Sequence, residues 1–123
     1  MSNSLVEESK PSFLDIILKY IPGDNSVVFL FGSMAEEKAS KSSDIDIGIF
    51  CLQKVEGKLL SDCRAELEEK IKTLRDIDLI DFSNSTDEKF LNIAMKRIDI
   101  WYQSGPAARQ FDALVKRISN QAT

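Results

Sequence analysis

A chain of 123 residues with 43% hydrophobic content is long enough for one modest core and leaves no room for a second domain. Its 20 acidic and 16 basic residues leave a formal net charge of −4, which argues against a protein held on nucleic acid by its global field, although a local basic groove stays open. The chain has no histidine, so Ser-His-Asp catalysis, Cys-His catalysis and His-ligated zinc are excluded together, and any chemistry falls to carboxylates, lysines, arginines and bound metal.

Cys51 and Cys63 lie outside any Cys-x-x-Cys spacing and read as small apolar residues of a reducing compartment. The N-terminus MSNSLVEESK is polar and no apolar run approaches ~20 residues, so a cytoplasmic protein that does not contact membrane is expected. The expected partition is a flexible N-terminus over residues 1–11, one domain over 12–118 and a tail over 119–123. Repeats and low-complexity segments are absent.

In chain order, Ser12 followed by FLDIILKYI places Phe13, Ile16, Ile17 and Tyr20 on one helical face, and Pro22-Gly23 ends the helix. VVFLF (27–31) is too short and too β-rich for a helix and reads as a buried strand that stops at Gly32. Ser33 and Glu36 have the spacing of a capping box, which predicts a turn or short helix there. DIDIGIF (44–50) reads as a second strand. After a polar connection containing Gly57, Cys63, Leu67, Ile71 and Leu74 share a helical face with Ser61 as cap. IDLIDF (77–82) is the third strand, and STDEKFLNIAMKRI begins a helix with a capping box from Ser85 to Glu88. IDIWY (98–102) is a short strand, and a last helix opened by Pro106 carries Phe111, Leu114, Val115 and Ile118 on one face.

Two of these elements carry candidate chemistry. Alternation along the second strand sends Ile45, Ile47 and Ile49 to one face and Asp44, Asp46 and Gly48 to the other, so two carboxylates share a rigid floor. Taken alone, such a pair is the solvated face of an amphipathic strand. However, acidic residues are poor strand formers, and like charges on one face repel unless a cation compensates. Mg²⁺ suits the floor, because it takes one or two carboxylates and completes its octahedron with water and substrate phosphate. Gly32-Ser33, ten residues upstream, lets a backbone approach a ligand closely and frees amides at a turn that attract anions.

A third carboxylate would serve a site holding two metal ions ~3.5–4 Å apart. RDIDLIDF offers Asp76, Asp78 and Asp81. Strand alternation aims Asp78 alongside the acidic strand and turns Asp81 away unless the strand ends or bulges first, so Asp81 is the fallback, while Asp76 is a turn residue.

An apolar strand, Gly-Ser, a ten-residue gap, Asp-x-Asp and a downstream strand with an aspartate together resemble the polymerase β nucleotidyltransferase superfamily, and specifically its minimal nucleotidyltransferases (MNT). FGSMA, SDIDIGIF, DIDLIDF and IDIWYQSGPAARQF are similar to family segments in the same order, across roughly residues 12 to 118. The resemblance implies an α+β fold of two layers, a small mixed sheet with helices packed on one face. It implies Gly32 and Ser33 at the nucleotide phosphates and Asp44, Asp46 and Asp78 as catalytic ligands of two Mg²⁺ ions, with ATP as substrate. Many relatives carry Arg-Gly after Gly-Ser-x-Ala, whereas this chain has Glu36-Glu37, which leaves Lys38 or Lys41 to supply a positive charge.

The resemblance further implies transfer of AMP to a hydroxyl of a protein partner, with the chain acting as antitoxin to a HEPN-domain ribonuclease toxin. A domain this small has little material to wall in a second substrate, and without histidine the chain cannot be that toxin. Two alternatives stay open: a degenerate module that neutralises a toxin by contact alone, and a transferase acting on a small molecule such as an aminoglycoside. A haloacid-dehalogenase phosphatase fits less well, since its Asp-x-Asp follows a strand, and Asp-x-Asp glycosyltransferases are usually much longer.

Overall fold

The computed structural model describes residues 4–36, 44–83 and 87–121. The elements run α1 (Ser4–Ile17), β1 (Ser26–Phe31), β2 (Ile45–Cys51), α2 (Gly57–Lys70), β3 (Ile77–Asp81), α3 (Glu88–Ala94), β4 (Asp99–Gln103) and α4 (Gly105–Gln121). The strands form one mixed sheet in the order β3-β2-β1-β4, with β1 antiparallel to both β2 and β4 and β2 parallel to β3. This is the mixed α+β arrangement expected from the sequence.

The helices cover both faces of that sheet and not one. Every residue of β1 is buried, and its side chains alternate between two separate cores. Val28 and Leu30 join Ile45, Ile47, Ile49 and Ile77 beneath α1 and α2, with Phe13, Ile17, Cys63 and Leu67 as helical partners. Val27, Phe29 and Phe31 join Phe82 beneath α3 and α4, with Leu91, Phe111 and Ile118. A strand apolar on both faces must be covered on both, because either face left in water would forfeit its hydrophobic stabilisation.

Several boundaries differ from the expected ones. The first helix begins at Ser4, well before Ser12, and runs through Pro11. Proline removes a single i→i−4 bond there, and the burial of Phe13, Ile16 and Ile17 in the core offsets that loss. α2 starts at Gly57, so Ser61 lies inside the helix and is not its cap. Leu60 packs into the same core as Cys63 and Leu67, which extends the apolar stripe one turn backward. The helix stops at Lys70, leaving Leu74 fully exposed in the following loop. α3 is capped by Asp87, whose Oδ1 accepts from the amides of Lys89 at 3.0 Å and Phe90 at 3.2 Å, and Ser85 lies outside the described residues. No helix among the described residues is long and apolar enough to cross a membrane.

The core beneath α3 and α4 closes over one missing side chain. A Cβ on Gly48 would stand 2.2 Å from Cζ of Phe29, so the far end of the phenyl ring occupies the space a side chain would take on β2. From there Phe29 contacts Phe82 and Phe111, with ring centroids 5.1 and 4.8 Å away. Gly48→Ala is expected to lower unfolding stability in urea by about 1–3 kcal/mol, the usual cost of overpacking. Adding Phe29→Leu should recover part of that loss, since the conflict is with the ring.

Candidate active site

The apolar run of β1 ends because Gly32 turns the chain with φ +75°, a conformation that L side chains rarely adopt. The turn over residues 32–36 is closed by the Glu36 amide donating to the Gly32 carbonyl at 3.0 Å. Over the described residues it is a turn, one of the two forms that the Ser33–Glu36 spacing had allowed. Ser33 is exposed on it.

Asp44 immediately precedes β2 and Asp46 is the second residue of the strand. Strand pairing sets Asp46 between two neighbours, opposite Phe31 of β1 and opposite Asp78 of β3. The start of β3 is tied to β2 by the Ile45 amide, which donates to the Asp76 carbonyl at 2.8 Å. Asp76 thus contributes its backbone to the register while its side chain is exposed.

One carboxylate oxygen from each of Asp44, Asp46 and Asp78 lies within 4.8 Å of the others. Asp44 is exposed, whereas Asp46 and Asp78 are half-buried. The Gly32 turn lies against this cluster, since a Cβ there would stand 2.2 Å from Oδ2 of Asp46. Glycine at residue 32 is therefore required twice, by the backbone angle and by the carboxylate packed against it.

Asp81 is placed elsewhere. It pairs with Ile49 across the sheet, and its Oδ1 accepts the Ser83 amide at 2.9 Å, so it shapes the end of β3. Lys38 and Lys41 lie outside the described residues, as does Glu37.

Arg64 carried no sequence signal for this site. It is half-exposed on α2, yet its Nη2 stands 3.7 Å from Oδ1 of Asp78. Its position on the helix suggested only an i,i+4 pair with Glu68, which it also makes, Nε to Oε2 at 3.5 Å.

Like charges crowded together raise the cost of ionisation. Asp46 titrates at about 6, pushed up by burial first, then by the charges of Asp78 and Asp44 and by a hydrogen bond with Asp78. A divalent cation would relieve that repulsion. The donor set is all oxygen, and the thiols of Cys51 and Cys63 are buried away in the core, so the residues fit a hard ion such as Mg²⁺. Opposite donors across a Mg²⁺ ion lie ~4.2 Å apart, so small side-chain rotations would close the triad on one.

Because the folded carboxyl of Asp46 titrates above its unfolded value of 3.8, its favourable contribution is complete below that value and is lost as pH rises through about 6. In metal-free buffer at pH 7.5, Asp46→Asn is expected to raise the melting temperature by a few degrees. That corresponds to roughly 1 kcal/mol once solvent screening at this half-exposed position is allowed for. The gain should vanish near pH 4; a gain that persisted there would assign it to packing.

A family model described as polymerase beta, nucleotidyltransferase matches residues 17–104. No curated protein matches the chain in sequence. Among solved structures, the chain is similar to one in a toxin–antitoxin complex with AMP-PNP, at TM-score 0.70 and 16% identity over 92% of this chain and 88% of that one. It is also similar to one in the complex of a tri-AMPylated Shewanella oneidensis HEPN toxin with MNT antitoxin, at TM-score 0.66 and 19% identity over 94% of this chain and 86% of that one. A third likeness is to a chain of the MntA–HepT toxin–antitoxin structure, at TM-score 0.66 and 15% identity over 94% and 88% of the two chains. At these identities the structural likeness speaks for the fold, and the family match spans most of the chain. With four strands in the order described and the acidic cluster at the glycine turn, the chain belongs to the polymerase beta nucleotidyltransferase family.

Proposed function

We propose that the protein is a Mg²⁺-dependent nucleotidyltransferase that transfers AMP from ATP to a hydroxyl group of a protein partner, as the antitoxin of a HEPN/MNT pair. The observation that carries this reading is the convergence of Asp44, Asp46 and Asp78 beside the Gly32-Ser33 turn. Two solved relatives in fold support the choice of chemistry, one a toxin–antitoxin complex with AMP-PNP and the other a complex holding a tri-AMPylated HEPN toxin.

In this reading the turn at Gly32-Ser33 receives the nucleotide phosphates, because the glycine brings backbone close to the ligand and Ser33 is exposed beside it. Asp44 and Asp46 hold the metal ions, with Asp78 as the third ligand. Bound Mg²⁺ supplies neutralisation of the triphosphate and a lowered pKa for the acceptor hydroxyl. The acceptor oxygen forms a bond to the α-phosphorus as the bond from that phosphorus to the bridging oxygen of pyrophosphate breaks. The hydroxyl proton passes to Asp78. Positioning and electrostatics dominate catalysis of phosphoryl transfer, which accords with a chain that has no histidine.

The protein acceptor is supported by the openness of the site. Asp44 and Ser33 are both exposed, so a side chain presented by another macromolecule reaches the cluster without a channel. A reading by contact alone rests on Glu36 in the turn, where many relatives have arginine and this chain adds negative charge beside the expected phosphates.

Incubation with α-labelled ATP, Mg²⁺ and a purified HEPN-domain protein, taken from the neighbouring gene where that gene encodes one, decides between the two. Transfer of label to the partner is expected, dependent on Mg²⁺ and reduced about 10²–10³-fold by Asp44→Ala, the scale of losing one electrostatic stabiliser of a transition state. Label that persists in Asp44→Ala would remove that residue from the mechanism. Neutralisation of the partner with no label transferred would establish the contact-only reading.

A further inference from the structure

The acidic cluster has a basic neighbour that the proposed mechanism leaves unused. Arg64 bridges two carboxylates, Glu68 one turn further along its own helix and Asp78 on the adjoining strand. The Glu68 contact holds the Nε side of the guanidinium, which leaves the Nη2 end facing Oδ1 of Asp78 at 3.7 Å.

Asp78 needs such a neighbour. Its carboxylate is half-buried next to Asp46 and Asp44, and in the absence of an ion their mutual repulsion favours rotamers that swing it away from the other two. The rotamer in which Asp78 meets Arg64 is also the one that keeps it within 4.8 Å of the other two, so the guanidinium favours that rotamer over those that swing away. At 3.7 Å the contact is longer than a hydrogen bond, so it guides the carboxylate electrostatically without saturating it. An ionised carboxylate has about four lone-pair sites, and those not turned to Arg64 remain available to an ion.

We infer that Arg64 is a positioning residue, anchored by Glu68, that holds Asp78 turned toward Asp44 and Asp46 so that the metal site is assembled before an ion arrives. The inference rests on the nucleotidyltransferase reading above, because it assigns Asp78 as a metal ligand. Outer partners of ligating carboxylates commonly set metal affinity in this way. The opposite role is equally definite: an arginine that occupied Asp78 in place of the ion would weaken metal binding, and its removal would tighten it.

Mn²⁺ titration of the purified protein without nucleotide, with free Mn²⁺ followed by electron paramagnetic resonance, separates these roles without any turnover. Arg64→Gln is expected to weaken Mn²⁺ binding about 10-fold, while the melting temperature of the metal-free protein barely moves, since exposed ion pairs contribute little to stability. In an Asp78→Asn background the same change should cost nothing further, because the group it positions is gone. Unchanged or tighter binding in Arg64→Gln, or a full additional loss in the double variant, overturns the inference while leaving the nucleotidyltransferase reading in place. Failure of the unaltered protein to bind Mn²⁺ removes that reading itself, and with it the role of Arg64.

Discussion

The parallel pairing of β2 with β3 is the constraint on which the site depends. It sets Asp46 opposite Asp78 on a face that already carries Asp44, and so forces negative charges together that would separate in a free chain. The hydrophobic faces of the same strands hold that arrangement in place. Ile45, Ile47 and Ile49 are buried against α1 and α2, and a slip of one residue would exchange them for the aspartates. The energy that keeps the carboxylates close is thus taken from the core immediately behind them.

Glycine solves a steric problem on each side of this arrangement. At residue 32 it allows the left-handed turn and leaves room for the Asp46 carboxylate, and at residue 48 it leaves room for the Phe29 ring. Both lie on the face that carries Asp46, one against the acidic cluster and one beneath the aromatic core. The boundary between polar site and apolar core is therefore set by two positions without side chains. The turn after α1 is joined to α2 at a distance from this, where Lys19 and Tyr20 both bond Glu66. The Lys19 ammonium and the Tyr20 hydroxyl hold the Glu66 carboxyl at about 2, below the usual carboxylate range.

Legibility in the sequence followed how local each cause was. The strands were readable to within a residue or so, because alternation and β-branched runs report directly on which side is buried. Helix starts were less so. Ser61 has the chemistry of a cap and Gly57 that of a breaker, yet packing of Leu60 carries α2 back past Ser61 to begin at Gly57. Asp87 took the capping role expected upstream of it, since either residue type satisfies free amides and only the path of the chain chooses between them. The covering of both sheet faces was implicit in the unbroken apolar run of β1, but which helices went to which face was not.

The chain's order of residues by itself determined the acidic floor of β2, the glycine turn before it and the exclusion of histidine chemistry, because each follows from residue type and a period of two. Asp78 was favoured over Asp81 by the same alternation, and the observed register agrees in placing Asp78 beside Asp46. Tertiary structure alone decided the remainder: the spacing of three oxygens within 4.8 Å, the raised titration of Asp46 and the approach of Arg64 to Asp78. Each of these depends on distances between groups far apart in the chain, and charge interactions that fall off with distance and with solvent cannot be read from sequence spacing.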